Sequence, residues 1–242
     1  MPDQQKYLNK LNGDHVLIIG GSSGIGHAIA EACLKHGCIV TISASSALSA
    51  KNAHKRLKES YPSAANRITS LACNLGSTSD IEANIAKLFQ HVSKSGLLDH
   101  IIFTAGDQLA QMPIHDVTLS RIQHAGFGES SITLTSGVGS YKMGPEGAVA
   151  GAYAAGLHGM ARALAVDLQP VRVNVVAPGP TDTPLWRMPE QQKTALIEML
   201  RTKLATGEIG STENVAETYL GVLKDWNCTG AVLNTNGGYL LL

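Results

Sequence analysis

Short apolar runs rich in Val, Ile and Leu alternate with helical patterns along most of this chain, and that alternation restricts the fold more than any other feature. The runs are HVLIIG (15–20), CIVTIS (38–43), RITSLAC (67–73), LDHIIFTAG (98–106), SITLTS (131–136), VRVNVVAPG (171–179) and TGAVLNTNGG (229–238). Between them lie GIGHAIAEACLKHG, SAKNAHKRLKESY, SDIEANIAKLFQHVSKSG and GLHGMARALAVDLQP. In the last of these, apolar residues at 157, 160, 164 and 168 fall on one face of a helix. Continuously apolar strands need cover on both faces, and amphipathic helices between them supply it in βαβ units. The expectation is an α/β fold, a Rossmann-like doubly wound parallel sheet of about seven strands. No Pro/Ser-rich linker divides the chain, so a single domain is expected over 1–242, with 1–12 as an N-terminal extension. One interval is short. Between Gly106 and Ser131 only DVTLSRIQHAG reads as helix, close to the minimum of about 10–12 residues for a parallel crossover. Either that helix is trimmed or a segment is absent from the chain.

Composition narrows the function classes. Of 242 residues, 44% are hydrophobic, ample for a core, and 19 basic residues balance 19 acidic ones. No charge excess points to nucleic acid or an acidic membrane surface. Cys33, Cys38, Cys73 and Cys228 show neither CxxC spacing nor a disulfide framework and read as buried, reduced thiols. The nine histidines form no HExxH or Cys/His pattern, so no metal site is expected. The first residues, MPDQQKYLNKLNGDH, are too polar for a signal peptide, and no apolar run approaches the roughly 18 residues that span a bilayer. A cytoplasmic protein is expected.

The segment LIIGGSSGIGHAIA places Gly20, Gly24 and Gly26 between the first strand and the first helix. Glycines there allow a tight turn and close approach of backbone to a pyrophosphate lying on the helix N-terminus. Ser22 and Ser23 add hydroxyls, and Ile25 lies within the same turn. A glycine triad alone also suits a plain βα turn; its position in the first βα turn of a doubly wound pattern points to a dinucleotide. The end of the second strand bears on which one. A carboxylate there would bond the ribose 2′-OH of NAD, but TISASSALSAKN carries no acid before Glu59. Ser45, Ser46 and Lys51 can receive a 2′-phosphate, which favours NADP(H) over a merely solvated loop. Asn74, after the third strand, can bond the adenine amine or simply turn the chain, with Leu75 beside it.

These motifs together resemble the short-chain dehydrogenase/reductase family. GGSSGIG is similar to the family's TGxxxGIG, with Ile19 in the threonine's place. FTAG (103–106) resembles its NNAG motif, including Ala105 and Gly106. ITLTSGVG resembles the strand bearing the family's serine, and RVNVVAPGPTDTPLW its nicotinamide-side motif, with Pro178, Gly179, Thr181 and Thr183. The resemblance runs from about residue 12 to the end and is interrupted around 126–130. It implies an oxidoreductase binding NADP(H) through those residues, acting on a small-molecule substrate, and a homodimer formed through long helices.

The family's proton relay is mostly missing. The resemblance implies a tyrosine donor, a lysine four residues later, an orienting serine and an asparagine on the preceding helix. Ser136 takes the serine position, but alignment of LHGMARALAVDL puts Ala150 and Ala154 at the tyrosine and lysine positions. The asparagine belongs to the short interval. Tyr153, about 300° around the helix from 150, is a candidate donor as well as a packing residue, although 157 holds no lysine to tune it. Glu146 becomes a candidate acid if an apolar cleft raises its pKa; Tyr141 and Lys142 lie on the same loop. Similar relay-poor branches of the family occur in fungal secondary metabolism as reductases and reductase-cyclases. The expected function is reduction of a carbonyl or imine by an NADP(H)-dependent oxidoreductase with an atypical site. The alternatives are a non-catalytic dinucleotide-binding module and a cofactor-bound non-redox cyclase.

Overall fold

The computed structural model describes residues 9–76, 80–106 and 130–242. Among these residues the strands are β1 (His15–Ile19), β2 (Ile39–Ala44), β3 (Ile68–Ala72), β4 (His100–Phe103), β5 (Ser131–Thr135), β6 (Arg172–Pro178) and β7 (Val232–Thr235). The helices are α1 (Gly24–Lys35), α2 (Ala47–Ser60), α3 (Ile81–Val92), α4 (Ala148–Asp167), α5 (Glu190–Arg201) and α6 (Thr212–Lys224). The strands form one parallel sheet in the order β3-β2-β1-β4-β5-β6-β7. The Rossmann-like doubly wound sheet expected from the sequence is therefore present. The segment DVTLSRIQHAG lies outside the described residues. Two helices, α5 and α6, were not among those read from the sequence. Helix α6 has a clear signature: Ser211 caps it by accepting from the Asn214 N–H, and Val215, Ala216, Tyr219, Leu220, Val222 and Leu223 are buried along it. Helix α5 buries Leu200 alone, so its apolar periodicity is faint.

Alternation along the strands feeds both layers. Val16 and Ile18 of β1 join α1, α2 and α6 in one cluster, where Ile29, Leu57 and Tyr219 are wholly buried. Leu17 and Ile19 point the other way, onto Leu88 and Val92 of α3. On the same side as α3, Leu157 and Ala161 of α4 pack on Ile132, Leu134, Val173 and Val175. Each fully buried aliphatic side chain contributes roughly 1.5–3 kcal/mol relative to exposure. The four thiols are free, three of them buried. Burial raises the Cys73 and Cys228 thiols, and Cys38 beside it, together with burial, raises Cys33, so these sulfurs stay protonated. No helix among the described residues is long and apolar enough to cross a membrane.

Arg172 ties the far edge of the sheet. Its buried guanidinium donates to the carbonyls of Val222, Leu223 and Cys228, satisfying the C-terminal end of α6, where a cation is favoured by the helix dipole. Asn174 on the same strand donates to Cys228 O and accepts from Ala231 N, which sets β7 beside β6.

The amino ends of the strands carry polar groups that bond one another. His15 Nε2 lies 2.9 Å from Thr41 Oγ1, which is 2.7 Å from Thr69 Oγ1. His100 joins Ser131 Oγ at 2.9 Å and Asp14 Oδ2 at 3.2 Å. Burial holds the His15 pKa below its ordinary 6.5, against opposing pulls from the Leu97 backbone and then Asp99, and it lowers His27 and His54 as well. Between those depressed values and about 6.5 the unfolded chain binds more protons than the native one, so stability rises with pH in that window and is lost as pH falls through it. The thermal midpoint is therefore expected to drop from pH 7.5 to pH 5.5, and His15→Gln should flatten part of that slope. A midpoint that rises on acidification would contradict the burial of neutral imidazoles.

Candidate cofactor and active site

The turn from β1 into α1 presses against the end of β4. Gly20 adopts φ of 94°, and a Cβ there would lie 2.5 Å from Ala105 N. A Cβ on Gly26 would lie 2.4 Å from Gly20 O and 2.5 Å from Thr104 Oγ1. Thr104 in turn donates from both N–H and Oγ1 to Ile19 O, at 2.9 and 3.1 Å. Ser23 is the N-cap of α1, yet its side chain makes no capping bond. The first N–H groups of α1 thus point out at the carboxyl edge of the sheet, where an anion is stabilised. Beyond Gly24 the neighbour is Thr183, with 3.6 Å between its Cβ and the position a Cβ on Gly24 would take. The glycine turn and the segment after β6 therefore face each other across a narrow gap. Close backbone approach, free helix N–H groups and an opposing threonine are what a pyrophosphate needs, so these residues fit a dinucleotide.

At the end of β2, Ser45 and Ser46 are exposed. Ser46 caps α2: its Oγ accepts from Ser49 N at 3.1 Å and donates to Ser49 Oγ at 2.9 Å. Sequence reasoning missed a more strongly basic group. Arg56, well along α2, reaches back across 34 residues of chain and donates from Nη2 to Ser22 O. Among the described residues that is its one hydrogen bond, which leaves most of its donors available beside the glycine turn. No local pattern marks Arg56; only the packing of α2 against the turn brings it there.

Asn74 folds the chain after β3, its Oδ1 accepting from Gly76 N at 3.0 Å and its carbonyl from Asn84 Nδ2 at 3.0 Å. Leu75 and Ala105 pack together against the cluster under α3, and Gly106 is exposed with nothing crowding its Cα. At the end of β6, Gly179 donates to Thr235 O at 2.9 Å, and a Cβ there would lie 2.6 Å from Asn236 Cα. Pro178 is buried, and Thr181 closes this turn by donating to Gly179 O at 3.0 Å.

Ser136 follows β5 directly and is held by its N–H to Val176 O at 2.8 Å. A Cβ on the next residue, Gly137, would lie 3.6 Å from Pro178 O, so Ser136 stands on the crest between β4 and β6. Its hydroxyl donates to Ala154 O at 2.8 Å, and His158 Nε2 lies 3.2 Å from the same Oγ. His158 is buried against the Tyr141 ring, with centroids 5.1 Å apart. Burial, then the nearby Arg162 cation, hold its pKa below the ordinary value. Sequence reasoning passed over His158, although it stands one turn beyond Ala154. Tyr153 is 65% exposed, and its hydroxyl has no hydrogen bond among the described residues. Glu146 is exposed at φ of 64°. Tyr141 lies 3.5 Å from Asn234 Nδ2, and Lys142 bonds the Leu242 carbonyl.

Strand order, glycine turn and the motif after β6 define a dinucleotide-binding α/β protein, and comparison with known proteins specifies the family. The SDR-like Rossmann domain model matches residues 7–129 and 126–242, in two pieces that meet where the resemblance is interrupted. The short-chain dehydrogenase/reductase fsr5 of Gibberella fujikuroi is 41% identical over 259 residues, covering 98% of both chains. The short-chain dehydrogenase/reductase malC of Malbranchea aurantiaca is 36% identical over the whole of both. The solved MalC Reductase/Diels-Alderase superposes with a TM-score of 0.87 at 34% identity, covering 99% of this chain and 100% of that one. This chain belongs to the short-chain dehydrogenase/reductase family.

The packing of the glycine turn leads to a direct test. Gly26→Ala sets a methyl against backbone and the Thr104 hydroxyl, and overpacking of this kind costs about 1–3 kcal/mol. Its denaturation midpoint should fall accordingly and dinucleotide affinity with it. Unchanged stability would mean that the turn is looser than these distances indicate.

Proposed function

We propose that the chain is an NADP(H)-dependent oxidoreductase with an atypical site that reduces a carbonyl or imine of a small organic substrate. The observation that carries this reading is the charge at the end of β2, where no carboxylate follows the strand and the Arg56 guanidinium is seated on the glycine turn. A cation there favours a 2′-phosphate, whereas a carboxylate would repel it. Gly20, Ser22, Ser23, Gly24, Ile25 and Gly26 would hold the pyrophosphate side. Ser45, Ser46 and Arg56 would hold the 2′-phosphate, and Asn74 and Leu75 the adenine. Ala105, Gly106, Pro178, Gly179, Thr181 and Thr183 would line the path toward the nicotinamide.

When bound, the reduced cofactor supplies a hydride. The protein's part is to align the acceptor carbon, exclude water and steady the charge that develops. Ser136 is the polar group on the crest suited to that last task. Alanines at 150 and 154 need not abolish turnover: general acid catalysis contributes about 10²–10⁴-fold, and alignment can contribute more. A cationic imine needs no proton donor. The description of the MalC relative as reductase and Diels-Alderase favours a second reading, in which the same cleft also guides a cyclisation.

Calorimetry with NADPH and NADH tests the cofactor. NADPH should bind more tightly. Arg56→Ala should lose roughly 10- to 100-fold on NADPH alone, as expected for one charge-assisted bond of about 1.5–3 kcal/mol. Ser46→Asp keeps a good helix cap while placing a negative charge beside the phosphate, and should reverse the preference. NADH binding as tightly as NADPH to the unaltered protein would sink the NADP(H) assignment. Consumption of NADPH over a panel of ketones and imines then tests the reaction; binding without turnover would leave a non-catalytic module. With a substrate in hand, Ser136→Ala should lower turnover by about 10-fold or more with little change in NADPH affinity.

A further inference from the structure

Two bonds on one oxygen determine where the protons lie in the cleft. A serine hydroxyl has one proton to give. Because the Ala154 carbonyl can only accept, the Ser136 proton lies on the 2.8 Å bond to that oxygen. The 3.2 Å contact with His158 must then run the other way, from an Nε2–H into a lone pair of Oγ. Ser136 thus links α4 to the crest of the sheet, with a proton on each side of its oxygen and one lone pair left over. The imidazole behind it is buried, and the half-exposed Tyr141 ring covers it.

We propose that Ser136 and His158 together hold and deliver the proton of reduction, Ser136 as the catalytic residue at the substrate oxygen and His158 as a positioning residue that resupplies it. This rests on the oxidoreductase reading above, with a dihydronicotinamide as the two-electron reductant. As the carbonyl carbon takes the hydride, the C=O π pair moves to oxygen. Ser136 turns its O–H from Ala154 O to that oxygen and gives up its proton. Oγ takes the Nε2 proton of the His158 imidazolium. The ring is left neutral with its remaining proton on Nδ1, and it regains the lost one from water after product leaves. The sum is one hydride and one proton added across C=O.

Arg162, one turn along α4, is the described charge that acts on His158, and Tyr141 is the ionisable group in contact with it. Burial and Arg162 both disfavour the imidazolium, so the reactive form grows as pH falls below about 6.5. Reduction should therefore accelerate on acidification and level off below the His158 pKa.

The test uses the full-length ¹⁵N-labelled protein. Histidine ¹H–¹⁵N correlations should show the Nε2–H tautomer for His158 at pH 8 and report its pKa, with no turnover required. In steady-state NADPH consumption, kcat for reduction should inflect at that same pKa. His158→Gln keeps an N–H toward Oγ but cannot titrate; it should lose the inflection and at least 10-fold in kcat at pH 6, with KM and NADPH affinity within about 2-fold. An Nδ1–H tautomer, a kinetic inflection away from the measured pKa, or an unchanged profile in His158→Gln would each overturn the proton role. If His158→Gln does not fold, the match between tautomer, measured pKa and wild-type kinetic inflection still decides. Failure of every carbonyl substrate to consume NADPH would remove the oxidoreductase reading, and the proton role with it. An active enzyme without the inflection removes the proton role alone.

Discussion

The contact on which the site depends is the seating of the β1–α1 turn against the end of β4. Gly20 and Gly26 leave no room for a side chain between the turn, Thr104 and Ala105, and Thr104 locks the two strand ends together through Ile19 O. This joint lies at the point where strand order reverses, between β1 and β4. Crevices at such reversals are where open α/β sheets bind ligands. The same contact aims the N-terminus of α1 across the gap to Thr183.

On the other side of that cleft, α4 carries Ala150 and Ala154. Ser136 finds its partners on this helix. Its hydroxyl is bonded to the Ala154 backbone and its oxygen lies against His158.

The edge of the sheet farthest from the glycine turn is held by polar contacts of another kind. Arg172 and Asn174 bind the end of α6 to the start of β7. The carboxyl end of β6 is thereby fixed where Gly179 can meet Thr235 and Asn236. Buried polar groups at the amino ends of the strands, with the Arg172 guanidinium on β6, stand opposite a shaped backbone at their carboxyl ends.

Much of this was determined by the sequence itself. Apolar runs long enough for strands, separated by helical patterns, allow few arrangements besides a doubly wound sheet, and glycines between the first run and the first helix mark the tight turn that seats against β4. Ser136 and the motif after β6 were legible because each directly follows a short apolar run within a stretch that resembles the family's motifs. Helix α5 was not legible, since it buries a single leucine. Arg56 and His158 were decided by tertiary structure alone. Arg56 acts on a carbonyl 34 residues earlier, and His158 meets a serine 22 residues earlier on another element. No periodicity records such pairs, because each is made by the docking of a helix onto the sheet and not by the spacing of residues along the chain.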